Sequence, residues 1–374
     1  MTHRRGGPRH VGVAVTPELT GRLSGGLGMS KLKGLKRAFV ACLAALPGVV
    51  LGHHARFGFD DSALVEVEGT VESVFWRNPH IRFMVRRVTD AGEDELWEME
   101  GGPVNALERA GIDSAAIQVG ARVTVLGLVS RLDEHSMLPV HLTRGGGAPI
   151  VLARDRAEAF GLLDAGAEPA RVIGEEEIES AIREANGIFR VWTNIGRTQT
   201  RSSHPLTAAA RAAKESWDQP SDDLALRCQP AGMPEAMVSP FPIEILEEGD
   251  NIIMRLEEWD NVRVVRMGEE GGIDPEPSSR LGYSIGEWEG RTLIVKTNRI
   301  DYPYLDDRGT PQSEAVEIEE RFTLSADETR LDWTATVVDP NTLIEPTTLP
   351  NMHWEWVPGE KVKPYNCTLL DEIG

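Results

Sequence analysis

The stretch LVEVEGTVESVFWRNPHIRFMVR, from Leu64 to Arg86, decides the fold of the first module. Apolar and polar residues alternate on both sides of Asn78-Pro79, which is a turn signal. The pattern predicts two strands joined by that turn. Gly69 interrupts the first strand and permits the sharp bend that a small barrel needs.

The same kind of pattern continues as far as residue 145. A short strand is expected at Leu96–Glu100 and a helix at Pro103–Ala110, followed by strands at Arg122–Val129 and Leu138–Thr143. Three strands, a helix and two more strands are the element order of a five-stranded OB-type barrel. We therefore expect an OB-type barrel domain over residues 53–145.

Two further regions follow this domain. Residues 146–186 are expected to form an acidic helical connector, with helices at Ala153–Ala167 and Glu175–Ala185. Residues 187–374 return to short segments separated by turn signals about ten residues apart, which predicts an antiparallel β-barrel or sandwich of lipocalin-like type. The fold class is therefore all-β with minor helices. The strands predicted here are Phe189–Trp192, Ile243–Leu246, Ile252–Trp259, Val262–Met267, Tyr283–Trp288, Thr292–Thr297, Val316–Leu324 and Arg330–Val338, and the helix is Thr207–Ser216.

The N-terminal region has the pattern of a secretory signal peptide. The basic stretch Lys31–Arg37 precedes the apolar stretch Ala38–Gly52, and small residues precede a cleavage site after Gly52. The apolar stretch is shorter than the ~20 residues that span a membrane. We therefore expect a periplasmic or secreted protein, with residues 1–52 outside the fold. Met29 begins a conventional signal peptide, so the residues before it are expected to be an upstream extension.

Charge limits the partners. Residues 1–52 carry a net charge of +7, and their removal takes the formal net charge from −20 to −27. So acidic a chain opposes binding to nucleic acid and to anionic membranes. We expect no nucleic-acid partner and no stable membrane insertion, and a small molecule or another exported protein as the partner.

Two cysteines, Cys228 and Cys367, remain after cleavage. In an oxidising compartment a disulfide between them is the expected state. The alternative is a pair of buried free thiols, because the sequence alone does not show that the two residues meet.

Histidines are the first candidates for chemistry. Cleavage after Gly52 would place His53 and His54 at a new N-terminus, and His80 follows the Asn78-Pro79 turn. A free amine and neutral imidazoles bind copper or zinc. The alternative is an exposed chain end and an ordinary turn histidine.

Carboxylates and a loop supply two more candidate sites. Glu257, Glu258, Asp260 and Arg263 would form an acid–base site if they faced a pocket, and strand alternation would place Glu257 on the face opposite Glu258 and Asp260. The alternative is a hairpin with cross-strand charge pairs on the solvent side.

The loop Asp301–Ser313 could line a barrel mouth and bind a small ligand through the side chains Tyr302, Tyr304, Asp306 and Asp307. The alternative is an ordered surface loop in which an aspartate forms a side-chain turn.

Two sets of segments have a recognisable pattern. They are His53-His54, Glu68–Val71, Trp76–His80, Glu100–Asn105, Val119-Gly120 and Val123–Gly127 in the first module, and Leu206–Ala210, Cys228–Pro234, Leu281–Gly290, Gly309–Glu314 and Pro364–Cys367 in the second. With these segments the first module resembles a domain of unknown function in exported proteins of Gram-negative bacteria, and the second resembles another uncharacterised exported family. Neither resemblance implies an activity, but they imply export and the pairing of Cys228 with Cys367.

The sequence lacks a nucleophile motif, a phosphate-binding loop and a metal-hydrolase motif. The leading hypothesis is therefore an exported ligand-binding protein of unknown ligand with an N-terminal metal site. One alternative is an exported enzyme, either a carboxylate-based hydrolase or isomerase or a copper or zinc enzyme. The other is a structural or assembly protein.

Overall fold

Alternation in the first module produces a closed five-stranded barrel. The computed structural model describes residues 58–163, 173–194, 203–268 and 277–369. The barrel strands follow the order β3-β2-β1-β4-β5, and a parallel pairing of β3 with β5 closes the ring. The elements are β1 (Val65–Phe75), β2 (Arg82–Val88), β3 (Asp94–Glu100), helix α1 (Val104–Arg109), a 3₁₀ turn (Ser114–Ala116), β4 (Arg122–Val129), β5 (Ser136–Arg144) and the short β6 (Ile150–Val151), which extends the sheet beside β5.

Position 69 in β1 has no room for a side chain. A Cβ atom at this residue would lie 2.4 Å from the carbonyl oxygen of Arg86 on β2. The pairing of the two strands then shifts register between Val71 and Ser73. The close approach of β1 to β2 therefore requires a residue without a side chain at position 69, and the irregular pairing follows two residues later.

Replacing Gly69 by alanine is expected to lower the free energy of unfolding by about 1–3 kcal/mol, because the added methyl group must displace strand backbone. Urea unfolding measures this change. Gly102→Ala is the matched control, because the nearest heavy atom to its added Cβ is 4.0 Å away. Equal losses in the two variants would contradict the close approach.

Two helices in the connector region have the predicted type but different lengths. They are α2 (Arg154–Ala159) and α3 (Glu175–Glu184). α2 ends well before the predicted limit at Ala167, because Phe160 leaves helical geometry and Gly161 has a φ of +66°. Residues 164–172 lie outside the described ranges. No helix in those ranges is both long and apolar enough to cross a membrane.

The second module is a barrel rather than a sandwich. Nine strands follow the order β13-β12-β11-β10-β9-β8-β7-β16-β14, and pairing of β13 with β14 closes the ring. All neighbours are antiparallel except β10 and β11, which pair in parallel. The strands are β7 (Val191–Asn194), β8 (Ile243–Glu248), β9 (Asn251–Leu256), β10 (Asn261–Met267), β11 (Tyr283–Glu289), β12 (Thr292–Asn298), β13 (Glu317–Leu324), β14 (Arg330–Val338), β15 (Thr347–Thr348), which extends the sheet beside β14, and β16 (Met352–Trp356).

Helices and turns of this module lie between β7 and β8 and after β9. α4 begins after Thr207, whose hydroxyl accepts a hydrogen bond from the backbone N–H of Ala210, a normal N-cap. The bounds are α4 (Ala208–Ser216), α5 (Gln219–Asp222) and 3₁₀ turns at Leu224–Arg227, Glu235–Val238 and Glu258–Asp260.

A charged pair lies inside the second barrel among buried tryptophans. Arg263 is 1 % exposed and donates to both carboxylate oxygens of Glu320, which is 0 % exposed. Trp333 Nε1 donates to the same carboxylate over 3.0 Å, and Arg263 also donates to the hydroxyls of Ser284 and Thr297. The pair is therefore fully hydrogen-bonded, as a buried pair must be if it is to persist.

A buried carboxylate joins the two barrels, which belong to one compact unit, Leu51–Gly374. Arg109 on α1 donates from Nη1 and Nη2 to the two oxygens of Glu257 over 2.6 and 2.5 Å. Asn105, also on α1, and the backbone N–H of Lys363 donate to the same carboxylate over 3.0 and 2.8 Å. A residue that follows β9 is thus held by the first barrel.

Residues 357–368, called here the C-terminal strap, also contact both barrels. The strap and the contacts of Glu257 together form the joint between the barrels. Asn78 Nδ2 donates to the carbonyl oxygen of Tyr365 over 2.6 Å, and the backbone N–H of Thr368 donates to the carbonyl oxygen of Asn78 over 3.1 Å. On the other side, the backbone N–H of Tyr365 donates to Asp260 over 2.9 Å. The strap therefore bonds to both barrels.

The predicted disulfide is present and ties the strap to the second barrel. Cys228 and Cys367 are bonded, with Cα atoms 5.7 Å apart across a sequence separation of 139. Cys228 lies a few residues before the 3₁₀ turn at Glu235–Val238. The alternative of two free thiols is excluded.

Candidate functional site

Two segments that are distant in sequence meet at one end of the second barrel. The hydroxyl of Tyr302 donates to Glu235 Oε2 over 2.6 Å across a separation of 67 residues. Gln312 Nε2 donates to the carbonyl oxygens of Met233 and Tyr302, each over 2.8 Å. The predicted loop Asp301–Ser313 is therefore locked to the segment that carries Glu235.

Gly232 permits this approach. A Cβ atom at Gly232 would lie 2.5 Å from both the carbonyl oxygen of Arg280 and the ring carbon Cγ of Tyr302. The backbone N–H of the next residue, Met233, donates to the same carbonyl oxygen over 2.8 Å. The Tyr302 ring thus packs against bare backbone, and its hydroxyl reaches Glu235.

The environment of Glu235 favours its neutral form. Burial raises the pKa of Glu235 to about 8, and the carboxylates of Asp307, Glu258 and Asp223 act in the same direction. Burial likewise raises the pKa of Asp223 and that of the Tyr302 hydroxyl. The site therefore presents a protonated carboxyl group beside a neutral phenol at neutral pH.

This pKa has a consequence for stability. Glu235 has a folded-state pKa of about 8 against a reference value of 4.5, so the folded state binds more protons between those two pH values. The contribution of Glu235 to the free energy of unfolding should fall as pH rises through that window. The advantage of a Glu235→Gln variant over the wild type should therefore grow with pH, as urea unfolding at a series of pH values can measure.

Glu317→Gln is the control for this titration, because Glu317 is exposed on β13. Its difference from the wild type should not grow between pH 4.5 and 8. A constant difference between Glu235→Gln and the wild type would show that the Glu235 carboxyl group is not desolvated.

Aromatic rings flank the carboxyl–phenol pair. The rings of Tyr302 and Tyr304 meet edge to face with centroids 6.2 Å apart, and Trp217 contacts Tyr304 in the same way at 6.4 Å. Such rings provide rigid apolar surface beside the polar pair. The predicted ligand residues Tyr302 and Tyr304 therefore lie together, with Glu235 and Trp217 added by the structure.

The two predicted aspartates have different positions. Asp306 accepts hydrogen bonds from the backbone N–H groups of Arg308 and Thr310 over 3.0 and 3.1 Å, and from the Thr310 hydroxyl over 2.6 Å. It forms the side-chain turn that the sequence left as the alternative. The side chain of Asp307 is 75 % exposed.

A buried histidine lies behind this turn. The His204 side chain is 1 % exposed, with Nε2 3.7 Å from Asp306 Oδ2. Burial lowers the pKa of His204, and the opposing effect of Asp306 is smaller. His204 is therefore neutral at neutral pH and supports the loop.

The four residues predicted as an acid–base site do not converge. Glu257 and Asp260 lie in the joint between the barrels, whereas Arg263 points into the interior of the second barrel. The strand predicted to reach Trp259 ends at Leu256, and Glu258 begins a 3₁₀ turn, so strand alternation does not apply there. The structure also gives no hairpin with solvent-side charge pairs at these positions, because Glu257 is 0 % exposed.

The histidine site is described only in part. His80 lies beside the first barrel with Nδ1 2.6 Å from Glu100 Oε1, and its side chain is 30 % exposed. His53 and His54 lie outside the described ranges, so copper or zinc binding there stays a prediction. Within those ranges, no group of three or more His, Cys, Asp or Glu side chains is arranged to hold a metal ion.

Residues 40–137 match DUF6152, a family of unknown function. This match confirms the resemblance inferred from the first module, and it includes the Trp76–His80 turn whose Asn78 contacts the strap. No curated protein matches the chain.

Sequence reasoning missed Glu235 as a member of this site. A usable signal was present, because Glu235 is the single charged residue in the otherwise uncharged run AGMPEAMV at residues 231–238. A lone carboxylate in such a run is a candidate for a shifted pKa. Its contact with Tyr302 can be seen only in the folded structure.

Proposed function

We propose that this is an exported ligand-binding protein that takes a small, uncharged organic molecule at the Glu235–Tyr302 site. The observation that carries the proposal is the convergence of two distant segments on a hydrogen-bonded carboxyl–phenol pair. A protonated Glu235 can donate to an acceptor group of the ligand. Tyr304 and Trp217 supply apolar ring surface beside it. Few polar groups among aromatic rings are typical of small-molecule sites.

Export is supported by two observations. The stretch Ala38–Gly52 has signal-peptide character, and Cys228 and Cys367 form a disulfide, which persists in oxidising compartments. Expression in a Gram-negative host tests the proposal. We expect protein from the periplasmic fraction to begin at His53. Uncleaved protein confined to the cytoplasm would contradict export.

Binding can be tested with the neutral fluorescent probe N-phenyl-1-naphthylamine. We expect saturable fluorescence enhancement with the wild type and binding about fivefold weaker with Tyr304→Ala, since an aromatic contact contributes about 1 kcal/mol. Wild-type binding should weaken as the pH rises through about 8, the pKa of Glu235. Glu235→Gln should not show this dependence.

Tyr283→Ala is the matched control, because Tyr283 lies on β11 beside Arg266 and Arg299 and not at the site. It should bind the probe as the wild type does. Probe signal that rises linearly without saturation, or that is equal in the wild type and Tyr304→Ala, would contradict a ligand site at this position.

Two other functions stay as alternatives. An exported enzyme would need a catalytic group other than Glu257 and Asp260, since both are held in the joint. A structural or assembly protein would use the barrels as surfaces for another exported protein. Neither alternative predicts that probe binding weakens as the pH rises through about 8.

A further inference from the structure

A polar cavity lies on the outer face of the second barrel, where Arg330 and Glu355 are exposed. Its volume is about 350 Å³. β14, β16 and β7 place Arg330 directly opposite Glu355, and Glu355 directly opposite Thr193. Residues directly opposite on paired strands share one face of the sheet. The cavity is lined by Ser325, Asp327, Thr329, Arg330 and Glu355.

The turn that forms one wall is held in place by its own hydrogen bonds. The backbone N–H of Ser325 donates to the carbonyl oxygen of Arg330 over 2.9 Å, and the N–H of Arg330 donates to the Ser325 hydroxyl over 3.0 Å. That hydroxyl donates to Asp327 over 2.7 Å. Arg291 Nη2 also donates to the carbonyl oxygen of Ser325 over 2.6 Å. The wall is therefore preorganised for a ligand.

Polar groups at this site have unused hydrogen-bonding capacity. The carboxylate of Glu355 lines the cavity and has no hydrogen-bond or ion-pair partner within the described ranges. Its oxygens can therefore accept hydrogen bonds from a ligand.

Asp332 orients the guanidinium group of Arg330. Arg330 donates from Nε and Nη2 to Asp332 Oδ2 over 3.2 and 3.0 Å. His353 Nδ1 lies 2.5 Å from the other oxygen of Asp332. Asp332 therefore fixes the plane of the guanidinium and leaves its Nη1 group to donate to a ligand.

We propose that this cavity binds a neutral polyhydroxylated molecule, with a hexose ring as the fitting unit. Adjacent hydroxyl groups of a sugar can donate to Glu355 and accept from Arg330 at the same time. A ligand of either charge would meet a side chain of its own sign, since Arg330 lies beside Asp327 and Glu355. The volume falls in the range of small-molecule sites, which begins near ~300 Å³.

The test is a titration by saturation-transfer NMR with three neutral hexoses, glucose, galactose and mannose, and two charged analogues, glucosamine and glucuronate. At least one neutral hexose should give saturable signals with the wild type. Glu355→Ala and Arg330→Ala should each weaken that binding about tenfold or more, because a hydrogen bond to a charged group contributes that much. Glu317→Ala, an exposed carboxylate on β13, should bind as the wild type does.

Each other result overturns the proposal. These results are no saturable signal from any neutral hexose, signals from a charged analogue alone, and unchanged binding in both cavity variants. Circular dichroism and thermal melting confirm that the variants fold, and Glu355→Gln keeps the shape of the side chain if Glu355→Ala does not fold. Arg330 and Glu355 do not belong to the Glu235–Tyr302 site, so their variants distinguish a failure of this proposal from a failure of that one.

Discussion

Replacing Arg109 by alanine is expected to lower the free energy of unfolding by about 3–5 kcal/mol, because it leaves a buried carboxylate without its cation. Glu257 is 0 % exposed, and Arg109 provides two of its hydrogen bonds. The same guanidinium donates to Glu360 and to the carbonyl oxygen of Lys361 in the strap. One substitution therefore removes contacts on both sides of the joint.

Urea unfolding followed by tryptophan fluorescence measures this loss. Arg122→Ala is the matched control, because Arg122 forms an exposed pair with Glu68 on the first barrel. An exposed pair contributes less than about 1 kcal/mol. If Arg109→Ala costs no more than Arg122→Ala, the Glu257 contact does not hold the barrels together.

Replacing Arg263 by methionine is expected to cost about 3–5 kcal/mol as well, for a different reason. The pair with Glu320 lies inside a barrel, where the carboxylate has no access to water. After the substitution, Glu320 keeps only its weaker bonds from Trp333 and Thr297. The second barrel should therefore lose stability while the first barrel keeps its contacts.

A double variant separates charge burial from packing. Arg263→Met combined with Glu320→Leu removes both charges, and buried pairs replaced by apolar residues are often neutral in stability. The double variant should therefore recover most of the loss in urea unfolding. A double variant as unstable as the single one would show that the hydrogen bonds to Ser284 and Thr297, and not the unpaired charge, dominate.

Strand alternation in the sequence predicted most of both barrels. In the first barrel the period is clear because one face of each strand is buried, as in Arg122–Val129, where predicted and observed bounds agree. In the second barrel β16 (Met352–Trp356) was missed. Its tryptophans alternate with His353 and Glu355 over five residues only, too short a run for periodicity to detect.

The joint between the barrels could not be predicted from the sequence, because the local pattern there indicates a strand. The run from Glu257 to Asp260 continues a strand pattern, but Trp259 and Asp260 adopt positive φ values of 66° and 51°. The chain turns there and presents carboxylates to α1 and to the strap. Those partners lie more than a hundred residues away in either direction, and the sequence separation of Arg109 and Glu257 is 148. No short-range signal encodes such a contact.

Only part of the Glu235 site was predicted from the sequence. Tyr302 and Tyr304 were found from the composition of their loop, which contains aromatic residues, aspartates and prolines between two strands. Glu235 was not, because its part depends on desolvation and on the approach allowed by Gly232. Both properties belong to the folded chain.

The most direct test of the ligand site is the titration of Glu235 itself, by carbon-13 NMR of protein labelled at the glutamate carboxyl groups. We expect one resonance that titrates at about pH 8 and is absent from Glu235→Gln. Tyr302→Phe should move that midpoint upward, because the Tyr302 hydroxyl stabilises the ionised form. A Glu235 resonance that titrates near the ordinary value of 4.5 would contradict a ligand site with a protonated carboxyl group, because Glu235 would then be solvated and charged at neutral pH.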